Sequence, residues 1–164
     1  MRYSPWEDIG RREVAVSYWE LPDDEDARWV PDADMIVIDP RLTQTERRCA
    51  LAHEIVHFER EHVPCVTGRW QAVQEREADL VAAKRLIRLR DLAQALLVSQ
   101  DEYDVAEALW VTPKVVRVRL DNLSAREQAI VSAQIEFAED LEAMQDRSID
   151  GPTVEPVRLG VVRR

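Results

Sequence analysis

His53-Glu54-Ile55-Val56-His57, inside the stretch "CALAHEIVHFEREH" (49–62), constrains this chain more than any other feature. Leu51, Ile55 and Phe58 recur at helical spacing, so the segment reads as an amphipathic helix. Thr43 and Glu46 form a T-x-x-E capping box at its start. Histidines at i and i+4 leave one face of such a helix. Their ring nitrogens can then converge on one ion at about 2.0–2.1 Å, as zinc requires. Glu54 is one residue round the helix from His53, beside the ion's open position. There a carboxylate can take a proton from water and pass it to a leaving amine. With three histidines in 164 residues, H-E-x-x-H is expected by chance only about 0.006 times.

A third ligand is needed, and "EREAD" (75–79) supplies it on the next helix, expected from about Trp70 to Leu89. Its stripe at 75, 79, 82, 83 and 86 reads Glu, Asp, Ala, Ala, Leu. Carboxylates continuing a small and apolar face are costly unless paired, hydrogen-bonded or bound to metal. Glu75 can complete a His-His-Glu set that leaves a fourth position for water. Asp79, one turn on, can accept a hydrogen bond from a ligand histidine's outer N–H and fix its tautomer. Glu77 points elsewhere on the helix. Cys49 lies one turn before His53, but a fourth protein ligand would close the site; a small buried cysteine is the ordinary outcome. His62 is expected at a helix end, where a cation is mildly favoured.

Around these helices the pattern is α+β and mostly helical. "EVAVSYWEL" (13–21) alternates as a strand, "LPDDEDA" is a loop, and "DMIVIDP" (34–40) is a second strand closed by Asp-Pro. Ser99 with Glu102 suggests a second capping box, and Thr112-Pro113 an N-cap followed by proline at the first helical position. The result is a helix-turn-helix-like segment at 99–123. Ser124 and Glu127 open a long last helix (124–147), and the tail (148–164) has room for one strand at "VRLGVV".

Composition narrows the function classes. The chain is 46% hydrophobic and 33% charged, with a net charge of -10. Basic residues outnumber acidic ones only in 41–90, so long-range attraction to nucleic acid is not favoured. No apolar run approaches the roughly 20 residues of a membrane helix. The first twenty residues lack a signal-peptide pattern, and two cysteines without a CxxC pair suit a reducing compartment. The expectation is a cytoplasmic protein.

"HEIVH" followed by "EREADLVAAKRLI" resembles the ImmA/IrrE-like metallopeptidases, whose H-E-x-x-H helix is followed by E-x-x-A-[DN] on the next helix. The pattern maps onto His53, Glu54, His57, Glu75, Ala78 and Asp79. The resemblance covers roughly residues 30–123. It implies a gluzincin-like fold with a minimal sheet, a zinc metallopeptidase domain over 1–98 and a helical C-terminal region over 99–164. It further implies a bacterial cytosolic zinc endopeptidase that cleaves or inactivates a transcriptional repressor encoded by the same phage or mobile element. Two features depart from the family. Val56 stands where glycine is common, which would narrow the cleft, and "RLIRLRDL" replaces a Leu-Met-Pro stretch. On this reading "DMIVIDP" borders the cleft, and Tyr18, His62 and nearby arginines are open as the group that polarises the scissile carbonyl.

Two other classes compete. A metal-bearing adaptor could bind its repressor without cutting it, with the same ligands. A DNA-binding regulator would use 99–123, but beside Lys114, Arg117 and Arg119 its second helix is filled by Val115, Val116 and Val118. Few side chains remain for base edges. A protein partner is expected and DNA is not.

Overall fold

The computed structural model describes residues 2–62 and 68–149. Element order is α1 (Pro5–Ile9), β1 (Ala15–Tyr18), β2 (Ala27–Val30), a 3-10 turn (Pro31–Ala33), β3 (Met35–Ile38), then α2 (Gln44–Glu59), α3 (Arg69–Leu86), α4 (Leu89–Val98), α5 (Glu102–Leu109), α6 (Pro113–Asp121) and α7 (Ala125–Ile149). The molecule is mostly helical, with one three-stranded sheet of order β1-β3-β2. β3 pairs in parallel with β1 and antiparallel with β2, with Ile36 opposite both Val16 and Trp29.

β2 is the element that the sequence does not announce. It is four residues long and follows directly on the acidic loop. Its presence makes β3 the central strand and leaves β2 at the edge. The strand bordering the cleft is therefore β2, not "DMIVIDP", because both sides of β3 are already hydrogen-bonded.

α2 sits between two apolar clusters. Leu51 and Ile55 pack with Trp29, Ile36 and Ile38 under the sheet, and Phe58 closes the edge of that cluster. Cys49, Ala52 and Val56 turn to the other side, among Ala78, Ala82, Leu86 and residues of α4 to α7. Such a helix is apolar on most of its circumference, and only the remaining stripe is left for His53 and His57. Val56 is fully buried in the second cluster and is absent from the cleft wall, so it does not narrow the cleft. The small side chains of Ala52, Ala78 and Ala82 let α2 and α3 approach closely, and this sets the distance between the polar side chains that the two helices present to each other.

Two of the three expected capping boxes are made, and α6 starts at Pro113 with Thr112 at the N-cap, though the Thr112 side chain makes no cap hydrogen bond. Thr43 and Glu46 form a reciprocal capping box, and Ser124 does the same with Glu127. The expected box at Ser99 and Glu102 is not made. Asp101 caps α5 instead, accepting from the Tyr103 and Asp104 N–H groups, while the Ser99 hydroxyl donates to Asp104. The helix expected to run to Leu89 stops at Leu86. Ile87 is extended and fully buried, its carbonyl accepts from the Arg119 Nε, and α4 begins two residues later.

α5 and α6 pack together across a short turn in which Trp110 takes the left-handed conformation (φ 56°). Arg48, 3% exposed, ties this corner to α2: it donates to the Trp110 carbonyl at 2.7 Å and to the Tyr3 carbonyl at 3.2 Å. Apolar packing continues from α2 to Val131 of α7. No helix among the described residues is long and apolar enough to cross a membrane. The segment "VRLGVV" and Cys65 lie outside the described residues.

Candidate metal centre

The ligand geometry starts from two helix pairs at i, i+4. α2 presents His53 and His57; α3 presents Glu75 and Asp79 directly across. The Nε2 atoms of His53 and His57 are 2.9 Å apart. Glu75 brings Oε2 to 3.2 Å from His53 Nε2 and Oε1 to 3.6 Å from His57 Nε2. A tetrahedral ion at about 2.0–2.1 Å holds neighbouring donors roughly 3.3 Å apart. The three separations bracket that value, so the donor set fits an ion with nitrogen and oxygen ligands. Among the described residues, His53, His57 and Glu75 form the group that could hold a metal. Cys49 is outside this group and packed in the core, where burial pushes its thiol pKa up.

Behind the ligands each outer nitrogen meets a partner. His53 Nδ1 lies 3.0 Å from Asp79 Oδ1. Lys114 of α6 donates to the same oxygen at 3.0 Å. His57 Nδ1 lies 3.0 Å from Nδ1 of His62. His62 was expected at a helix end; it follows the end of α2, turned inward and 8% exposed.

The electrostatics favour positive charge at this place. Burial disfavours the His53 cation, yet the carboxylates of Asp79 and Glu75 outweigh it and hold its pKa at about 9. Burial and the charge on His53 push His57 down to about 4. The hydrogen bond with His53 holds Glu75 below the usual carboxylate range. Burial resists ionisation of Asp79, but His53 and Lys114 keep it low as well.

Glu54 lines the same cleft without being one of the three grouped side chains, and it is tied to the sheet. Its Oε2 accepts from the Trp29 backbone N–H at 2.7 Å. Burial raises its pKa to about 7, with His53 and the Trp29 N–H working in the other direction. A carboxyl poised near neutrality suits proton transfer in both directions.

These residues line a cleft of about 550 Å³. One wall is β2 with the acidic loop 23–26; the other is α6, through Thr112, Lys114, Val115 and Val118. The sequence reading did not give α6 a place beside the site. All three of its basic side chains have carboxylate partners: Lys114 on Asp79, Arg117 on Glu102, and Arg119, itself buried, on Glu127. Tyr18 is not on the cleft wall; it stacks on Arg47 at the far edge of the sheet.

The IrrE N-terminal-like domain of the M78 peptidases matches residues 15–121. The chain belongs to this metallopeptidase family. The matched span runs from β1 to the end of α6, so it takes in the sheet, both ligand helices and the helix-turn-helix-like pair. No curated protein matches the chain. Among solved structures, a Mycobacterium tuberculosis transcriptional regulator shares the fold at 20% identity, with a TM-score of 0.54. The superposition covers 75% of this chain and 42% of that one, so the chain spans less than half the regulator's length. The family membership agrees with the resemblance that HEIVH and EREAD carry, and the mostly helical α+β architecture is as the sequence pattern indicates.

Proposed function

We propose that this chain is a zinc-dependent endopeptidase of the M78 family whose substrate is a protein, most specifically a transcriptional repressor encoded by the same mobile element. The observation that carries the reading is the convergence of His53, His57 and Glu75 in a cleft where Glu54 stands beside them and the edge strand β2 forms one wall. His53, His57 and Glu75 would hold the zinc ion, which when bound would supply Lewis acidity at this position. Asp79 fixes the His53 ring by accepting from Nδ1–H. Glu54 takes a proton from an attacking water at its carboxylate and returns it to the leaving amine. The Trp29 N–H holds one oxygen of that carboxylate, so the group does not swing away from the cleft.

An extended substrate can add to the open side of β2 by main-chain hydrogen bonds. The repressor as partner rests on the resemblance. The preference for protein over DNA is supported by α6, whose basic side chains are engaged with carboxylates of the same chain and whose cleft-facing residues include Val115 and Val118.

The test is incubation of the zinc-loaded protein with the repressor encoded beside it, with and without a chelator, followed by mass spectrometry of the products. Cleavage that stops with chelator, and that Glu54→Gln abolishes while zinc content is kept, is the expected result. Cleavage at an undiminished rate in Glu54→Gln overturns the assignment of the base. Tight binding without fragments replaces the peptidase with a metal-bearing adaptor.

A further inference from the structure

The two histidines of the ligand set are backed unequally, and the second has a partner that the H-E-x-x-H pattern does not contain. His57 points its Nε2 toward His53 and Glu75. For that nitrogen to offer a lone pair to an ion, the proton of the neutral ring must sit on Nδ1. An N–H at a largely buried position needs an acceptor. What stands 3.0 Å away is Nδ1 of His62. We propose that His62 is a positioning residue for the metal site: its Nδ1 accepts from His57 Nδ1–H, selects the tautomer that exposes Nε2 and fixes the ring plane. The inference rests on the reading of His53, His57 and Glu75 as a metal site.

The proton inventory closes around this assignment. If His62 accepts at Nδ1, its own proton is on Nε2. That nitrogen faces the Glu77 carboxylate at 3.7 Å, and Glu77 is held in turn by Arg60 Nε at 3.1 Å. The opposite tautomer of His62 would set two Nδ1–H groups against each other and leave the carboxylate facing a lone pair. Glu77 has no place in the ligand set, and this chain gives it a role.

The backbone delivers His62 to this place. α2 ends in a Schellman turn: the His62 N–H donates to the His57 carbonyl at 3.0 Å, and the Glu61 N–H to the Phe58 carbonyl at 3.2 Å. Glu61 takes the left-handed conformation that this motif needs, φ 52°. Reversing the chain there folds His62 back over the last turn of α2, so ring meets ring at 4.9 Å between centroids in an edge arrangement. The helix cap and the outer partner of a ligand are one device.

The test compares wild type, His62→Leu and His62→Asn. Asparagine keeps an acceptor oxygen near the position of the imidazole Nδ1; leucine keeps bulk without one. Zinc affinity is measured by competition with a chromophoric chelator at one pH, and folding of the zinc-free proteins by circular dichroism. The expected result is a 10- to 100-fold weaker affinity in His62→Leu, in line with the loss of outer hydrogen-bond partners elsewhere, and recovery of most of it in His62→Asn. Affinity in His62→Leu within twofold of wild type overturns the proposal and leaves the metal site intact. Equal weakening in both variants also overturns it, because bulk packing and not the acceptor would then matter. Wild-type protein that takes up no zinc overturns the site itself and this inference with it. Should the leucine variant fail to fold, nitrogen-15 spectra of the wild-type protein decide: protonation at Nδ1 of His57 and Nε2 of His62 supports the proposal, and a proton on Nδ1 of His62 overturns it.

Discussion

Replacing Glu54 by glutamine should stabilise the zinc-free protein, and by an amount that grows with pH. Glu54 is buried and titrates at about 7, against an ordinary 4.5. In the unfolded chain the carboxyl loses its proton at the lower value. Between the two, the folded form holds a proton that the unfolded form has released, so folding becomes less favourable as pH rises from 4.5 to about 7, and the penalty is full above that. The gap of roughly 2.5 pH units, at about 1.36 kcal/mol each, gives an upper value of about 3 kcal/mol. Glutamine carries no charge and can still accept from the Trp29 N–H through its amide oxygen, so the hydrogen bond at 2.7 Å cancels in the comparison. Urea unfolding in the presence of chelator, at pH 4.5 and pH 8, reads the difference. The variant and wild type should be close at the lower pH, and the variant should be more stable by about 2–3 kcal/mol at the higher one. A difference that does not change with pH, or a loss of stability at pH 8, refutes the claim that burial of an ionisable group is what sets this carboxyl near neutrality. The same burial that costs stability is what would suit the group to the role of base proposed for it.

Three further outcomes follow from the same geometry. Zinc content measured by elemental analysis should be about one ion per chain by the logic of three-ligand sites, and close to zero in a His53→Ala, His57→Ala double variant; full occupancy in that variant would sink the ligand assignment. Leu51→Ala removes a fully buried side chain between α2 and the sheet and should cost about 3–5 kcal/mol, read from the denaturant midpoint; a cost under about 1 kcal/mol would mean that the sheet does not rest on α2 as described. Glu61→Gly places glycine where φ is 52° and should raise stability by about 0.5–1 kcal/mol, visible as a higher melting temperature; a lower one would contradict the left-handed assignment.

The two facing pairs of side chains were legible in the sequence because i, i+4 spacing on a helix is a local rule: His53 with His57, and Glu75 with Asp79, need only a helix under each to share a face. The same holds for the Thr43 and Ser124 capping boxes and for Pro113 at the start of α6. What escaped reading depends on partners distant in sequence or on backbone that residue type conceals. β2 is four residues beside an acidic run, and its identity comes from pairing with β3. The break after Leu86 contains no glycine or proline; Ile87 leaves the helix because its side chain fills the core and its carbonyl serves Arg119. His62 looked like an ordinary residue past a helix end because the left-handed position before it holds Glu61 instead of the usual glycine. At Ser99 the box failed because Asp101, two residues nearer the helix, is the better-placed acceptor.

The hydrogen bond from Trp29 to Glu54 also sets a ruler along the cleft. Asp26 turns its carbonyl to the Asp39 N–H of the neighbouring strand, and alternation then points the main-chain groups of Ala27 and Trp29 outward. Of the two outward N–H groups, that of Trp29 is already given to Glu54. A chain laid along this edge therefore finds a donor at Ala27, acceptors at Ala27 and Trp29, and no vacant donor at Trp29. Shifting that chain by one residue would present its groups out of phase, whereas a shift by two restores the same pattern, so any chain that spans both positions meets the Trp29 N–H already given to Glu54. Between Ala27 and Trp29 the edge therefore offers an added strand three main-chain groups instead of four, and the missing one is the N–H held by Glu54.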